Sequence, residues 1–217
     1  MTLKEAQRIL DDFIGSIVKS FGFKGRKDKR YERFENKAVA LLSLPCHISS
    51  QGVALFTIGI GLRFDSLAEW IDEDSEEKSP TIGVPIHFLR EDKTYTEWKF
   101  SNTDDLEKLH GVILKDIEQY ALPYIERFSD LSKLRSVLES PNKQDWLGAG
   151  LNVDSRVTVL AAIQFVQGER NSAIETLDDG LRSLEKTLAG RTHELRKRRF
   201  KMECLRERFL KERGDVK

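Results

Sequence analysis

Apolar residues recur every three or four positions at both ends of the chain and every second position in between. Leu3, Ala6, Leu10, Phe13, Ile17 and Phe21 predict an amphipathic first helix. Thr2 and Glu5 have capping-box spacing. Gly22, between Phe21 and Phe23, suits the left-handed residue that closes a helix. Strands then follow. Residues 30–35 and 38–44 read as the first two, parted by Asn36 and Lys37. The run AVALLSL is too continuously apolar for a sheet edge, which places it centrally, and Pro45 ends it. Residues 53–63 read as a third strand, with Gly59 and Gly61 on one face marking a bulge or a close approach. Residues 82–89 and 94–100 read as a final hairpin around 90–93. In the stretch FGFKGRKDKRYERF, residues 24–29 read as an exposed turn. From Arg30, opposite charges at neighbouring positions suit an edge strand guarded against pairing with other sheets.

After Ser101 the period lengthens. Leu106, Leu109, Ile113, Ile117, Tyr120 and Tyr124 predict one long helix, which Pro123 should kink or restart. A short helix over 130–138 follows. Residues 140–152, rich in turn formers, read as a linker. Asp154 or Ser155 can cap a helix reaching Val166, Gly168 breaks it, and helices over 170–188 and 191–211, or one long helix that tolerates Gly190, complete the chain. The expected fold class is α+β: an N-terminal helix, a mostly antiparallel sheet of about five strands and a long helix over 1–140, a linker over 141–152, and a helical extension over 153–217.

The order of elements and several short pieces resemble the bacterial domain-of-unknown-function family 4304 over roughly residues 3–140. The pieces are Gly22-Phe23-Lys24, Tyr31 to Phe34, Trp98 and Leu122-Pro123-Tyr124. The resemblance implies an α+β fold and brings no catalytic residues. In the last third, LAAIQFVQGERNSAIETLDDGL resembles one tetratricopeptide repeat, a hairpin of two helices. Leu160, Ala161, Gly168, Ala173, Leu177, Gly180 and Leu181 fall where that motif alternates large and small residues. Gln164 and Arg170 replace usual aromatics, and Glu185 stands where a proline often ends the unit. A lone repeat leaves a face uncovered, so this one must pack on the α+β domain, on the third helix or on a second chain.

Lys and Arg number 36, as do Asp and Glu, which removes any global bias toward nucleic acid. The balance holds only over the whole chain, however. Residues 1–145 hold 21 basic and 25 acidic groups, whereas 146–217 hold 15 and 11. The two cysteines, Cys46 and Cys204, lie far apart and form no disulfide framework or zinc spacing. The first residues read as a charged helix rather than a signal peptide, and no apolar run reaches the ~18 residues that span a bilayer. A cytoplasmic location with no membrane contact is expected.

No catalytic, cofactor or metal site is expected. His47, His87, His110 and His193 are scattered without metal-binding spacing. Cys46 and His47 are adjacent in a strand and so point to opposite faces. GIGLRF lacks the third glycine and the following helix of a dinucleotide fingerprint. Interaction surfaces remain. The acidic run over 69–77, with Glu69, Asp72, Glu73, Asp74, Glu76 and Glu77, suits a basic partner better than a metal. Trp146 reads as a plug between the two domains. In the tail, Leu188, Leu195, Met202, Leu205 and Phe209 form a narrow stripe, partly at heptad spacing, that predicts helical packing or a homodimer. Arg26, Lys27 and Lys29, with Arg196, Lys197, Arg198 and Arg199, are the alternative contacts to nucleic-acid phosphates. Glu203 and Glu207 stand one helical turn from Arg199, Arg206 and Lys211, so the tail reads rather as a self-paired face. The function expected is a non-enzymatic protein-interaction module, of immunity type in one setting, with nucleic-acid binding as the alternative.

Overall fold

The computed structural model describes residues 1–25, 30–35, 37–71, 79–187 and 193–214, with only the backbone described at 186, 187, 193–195, 213 and 214. Helix α1 (Leu3–Lys19) starts at the capping box: Thr2 Oγ1 accepts the Glu5 N–H at 3.3 Å, and the Glu5 carboxylate accepts the Thr2 N–H at 2.8 Å. Two donors that the helix itself cannot satisfy are thereby paired. Gly22 follows at φ +81°. The strands are β1 (Lys24–Gly25), β2 (Arg30–Glu35), β3 (Ala38–Ser43), β4 (Cys46–Ile48), β5 (Ala54–Phe56), β6 (Gly59–Arg63), β7 (Ile82–Pro85) and β8 (Trp98–Phe100). They form two antiparallel sheets, β1-β2-β3-β6-β7 and β4-β5-β8. The fold is α+β, and β3 occupies the middle of the larger sheet as its unbroken apolar run requires.

Three strand expectations change. Residues 53–63 split into β5 and β6, which belong to different sheets. The break falls at Thr57 and Ile58, where the Thr57 N–H donates to the Pro45 carbonyl and the Ile58 carbonyl accepts from Ile86. The expected closing hairpin is absent: β7 pairs with β6, β8 pairs with β5, and a 3₁₀ turn (Ile86–Leu89) leads away from β7. Nor is β2 an edge, because β1 flanks it at Tyr31 and Glu32. Its charges are used inward. Glu32 is buried and meets Arg63 of β6 at 3.2 Å, across β3. Arg33 donates to the Phe21 carbonyl at 3.1 Å and lies over the Phe23 ring.

Tyr31, Leu42, Ile60 and Val84 make one cross-strand row. Tyr31 ties α1 to this row by donating its hydroxyl to the Asp11 carbonyl at 2.7 Å, and burial pushes its phenol up to about 12. Gly15 makes room for it, since a Cβ there would lie 3.3 Å from the Tyr31 hydroxyl. The long helix is α3 (Thr103–Asp116), a π turn (Ile117–Ala121) and α4 (Leu122–Phe128). Pro123 does not end it. The Leu122 N–H reaches back to the Ile117 carbonyl, and the extra residue in that turn accommodates the proline ring. Arg90 pairs with Asp116 of α3, donates to Thr96 Oγ1 at 2.6 Å and lies over Trp98, which holds the 86–97 connection.

The chain divides at other points than 140 and 152. One unit comprises Met1–Arg63 with Ile82–Asp130, the other Phe64–Thr81 with Leu131–Lys217. The second holds α2 (Asp65–Ile71), α5 (Leu131–Glu139), α6 (Lys143–Leu147), α7 (Val153–Val166), α8 (Arg170–Thr187) and α9 (His193–Gly214). The stretch expected as a linker is packed: Trp146, Ala149 and Leu151 are buried. Its turn formers act as caps, Asn142 for α6 and Asn152, rather than Asp154 or Ser155, for α7. Trp146 belongs to this second unit, under the Arg156 guanidinium, which also donates to the Leu138 carbonyl at 2.6 Å.

Helices α7 and α8 form the hairpin, joined through Gly168 at φ +87°. Ala161, Ala173 and Leu177 fill the seam. Gly180 lets the helices close, because a Cβ there would lie 2.6 Å from Val157 Cγ1. Gln164 is buried and accepts the Thr176 hydroxyl at 2.8 Å, so its carbonyl is satisfied. The hairpin's remaining face is covered within the same unit. Phe209 of α9 stacks on Phe165 of α7 at 3.9 Å, and Trp70 of α2 packs on both. Residues 65–71 form helix α2, with Leu67 buried and Trp70 packed on this cluster.

Candidate binding cleft

Three elements of the second unit surround a cleft of about 700 Å³. Trp70, Ile71 and Thr81 form one wall. Leu151, Asn152, Asp154, Ser155, Thr158 and Val159, at the start of α7, form another. On α9 the lining residues are Lys197, Arg198, Phe200, Lys201, Met202, Cys204, Leu205 and Arg208. Helical spacing explains this set: Lys197, Lys201 and Leu205 lie one turn apart, and Arg208 continues the line. Leu151, Val159, Met202 and Leu205 are buried and make an apolar floor. Polar groups converge at the rim, as in sites that orient a ligand over an apolar surface.

The rim cations differ in what they already hold. Arg208 donates to the Glu69 and Trp70 carbonyls at 2.8 and 3.3 Å and lies 4.9 Å from the Trp70 ring centre, pinning the end of α2. Arg198 meets Asp154 at 2.7 Å. Lys197 and Lys201 are exposed and meet no carboxylate among the described residues. Phe200 stands beside them 66% exposed.

The predicted site residues fare unevenly. Met202, Leu205 and Phe209 are buried inside their own unit against α2, α7 and α8. These three side chains thus take the helical-packing alternative and are not left exposed for a homodimer. Leu188 lies outside the described residues, and Leu195 is described only as backbone. Of the phosphate candidates, Arg198 and Arg199 face carboxylates; Arg199 holds Glu203 at 2.7 Å and Glu185 at 3.4 Å. Arg206 pairs with Asp178 of α8 at 2.5 Å rather than with a glutamate one turn away on its own helix. Arg196 and Lys197 are exposed, while Arg26, Lys27 and Lys29 lie outside the described residues. Of the acidic run only Glu69 is described, and it is exposed; Asp72, Glu73, Asp74, Glu76 and Glu77 lie outside the described residues.

Sequence reasoning missed the cleft itself. Its α9 wall mixes lysine, leucine and arginine in one line, which resembles neither an apolar stripe nor a basic one. The α2 wall was hidden because Trp70 stands among acidic neighbours. Elsewhere, the exposed His47 of β4 lies 3.7 Å from Glu97, and His87 is buried against Phe88 and Tyr95, with burial and then Arg90 lowering its pKa. Among the described residues, no three His, Cys, Asp or Glu side chains come together to hold a metal ion, and no helix is long and apolar enough to cross a membrane. No protein-family model, no curated protein and no solved structure matches this chain.

Proposed function

We infer that this chain is a non-enzymatic binding protein that holds a partner protein on its helical unit. The cleft beside α9 carries this reading: an apolar floor, two lysines that meet no carboxylate among the described residues and an exposed phenylalanine form a concave, amphipathic surface. Exposed aromatic and cationic groups around a desolvated pocket are what interfaces use as anchors. An immunity-type role, in which the bound partner is a toxin held inactive, is one setting for such a protein. The test is capture from the native host with a tagged full-length chain, followed by reconstitution from the two purified proteins. The expected result is one protein recovered in stoichiometric amount that rebinds when pure. Recovery of no such protein across several growth conditions overturns the reading.

A further inference from the structure

We propose that the cleft beside α9 receives an acidic peptide segment, with an apolar side chain of that segment on the floor; this rests on the binding-protein reading above. The charge pattern argues for it. Asp154 is the one carboxylate on the described lining, and Arg198 already faces it. Arg208 is committed to the carbonyls of α2. On the described lining, the cationic capacity left for a ligand is therefore Lys197 and Lys201.

Spacing argues for a peptide. The two lysines are one turn apart on α9, about 6 Å along the axis. In an extended chain, alternate side chains point the same way and are about 6.6 Å apart. Two acidic residues separated by one residue thus meet both lysines at once. The Ser155 hydroxyl, on the facing wall, can bond the peptide backbone. Leu151, Val159 and Leu205 offer the apolar contact, and Phe200 flanks it. A nucleic acid would instead need a run of cations to neutralise successive phosphates, and the leading edge of α9 spends two of its arginines on carboxylates.

The experiment is selection of a random-peptide phage library on the immobilised full chain, counter-screened on K197E/K201E. A synthetic peptide of the selected consensus is then titrated by fluorescence polarisation at low and high salt. The expected peptides carry Asp or Glu two positions apart beside an apolar residue. Their affinity falls about tenfold or more with K197E/K201E and weakens with salt, as rim charges predict, and Phe200→Ser weakens it further. Both lysines are exposed, so an unchanged thermal melt accompanies the loss. Absence of any consensus, a neutral or basic consensus, or affinity indifferent to K197E/K201E overturns the proposal. A host protein that binds wild type and K197E/K201E equally well leaves the chain a binding protein and removes the cleft as its peptide site.

Discussion

In the first unit, the Glu32–Arg63 pair has both side chains less than a tenth exposed, on strands either side of β3. In the second, the Asp178–Arg206 pair leaves about a third of each side chain in solvent while joining α8 to α9. The chemistry is the same and the consequences are not. A buried pair costs desolvation on both partners, so it contributes little net stability, yet losing one partner strands the other charge. A solvated pair contributes tenths of a kcal/mol and can be lost without harm. The sheet unit is therefore sensitive at single charged positions. The helical unit rests on aromatic packing and can spend its surface charge on other molecules.

Removing one side of the buried pair breaks this contrast most directly. Arg63→Met is expected to destabilise by about 3–5 kcal/mol in urea unfolding, and a second change, Glu32→Met, to restore much of the loss. If Arg63→Met costs no more than a surface pair, the contrast fails. In the helical unit the comparable loss comes from packing. Phe209→Leu removes the ring stacked on Phe165 and set against Trp70, and about 2 kcal/mol is expected from lost aromatic contact and imperfect refilling. The same measurement on Arg206→Gln should show only about 0.5 kcal/mol, since about a third of each side chain of that pair is in solvent.

The smallest effect is a pH dependence in the sheet unit. Burial, then Arg90, holds the His87 pKa below its usual 6.5. The unfolded chain consequently takes up that proton first as pH falls, so stability declines below about pH 6.5 and levels off once the folded-state value is passed. Thermal melts across that range should show the decline, and His87→Phe should flatten it.

Much of the sheet unit was legible in the sequence because its signals are local. The capping box at Thr2 and Glu5, the apolar run of β3 and the left-handed Gly22 each act within a few residues. What was hidden depends on distant partners. The charges of β2 looked like edge protection because Arg63, the partner of Glu32, lies 31 positions away. The 53–63 run looked like one strand because hydrogen bonds to the Pro45 carbonyl and from the Ile86 N–H, not its own pattern, divide it. For the cleft the same reason is stronger still. Its α9 wall meets α2 across more than a hundred residues, and nothing local in 65–71 announces that Trp70 will be covered.

That separation has a consequence during synthesis. Trp70 leaves the ribosome long before Phe165, and longer before Phe209, yet it packs on both. At about 5–20 residues per second, α2 waits on the order of ten seconds for the last ring of its cluster. The strands on either side of 64–81 can pair in that time, while the indole stays open to whatever the nascent chain meets. The sheet unit can form as it is made, but the helical unit closes only once α9 has emerged.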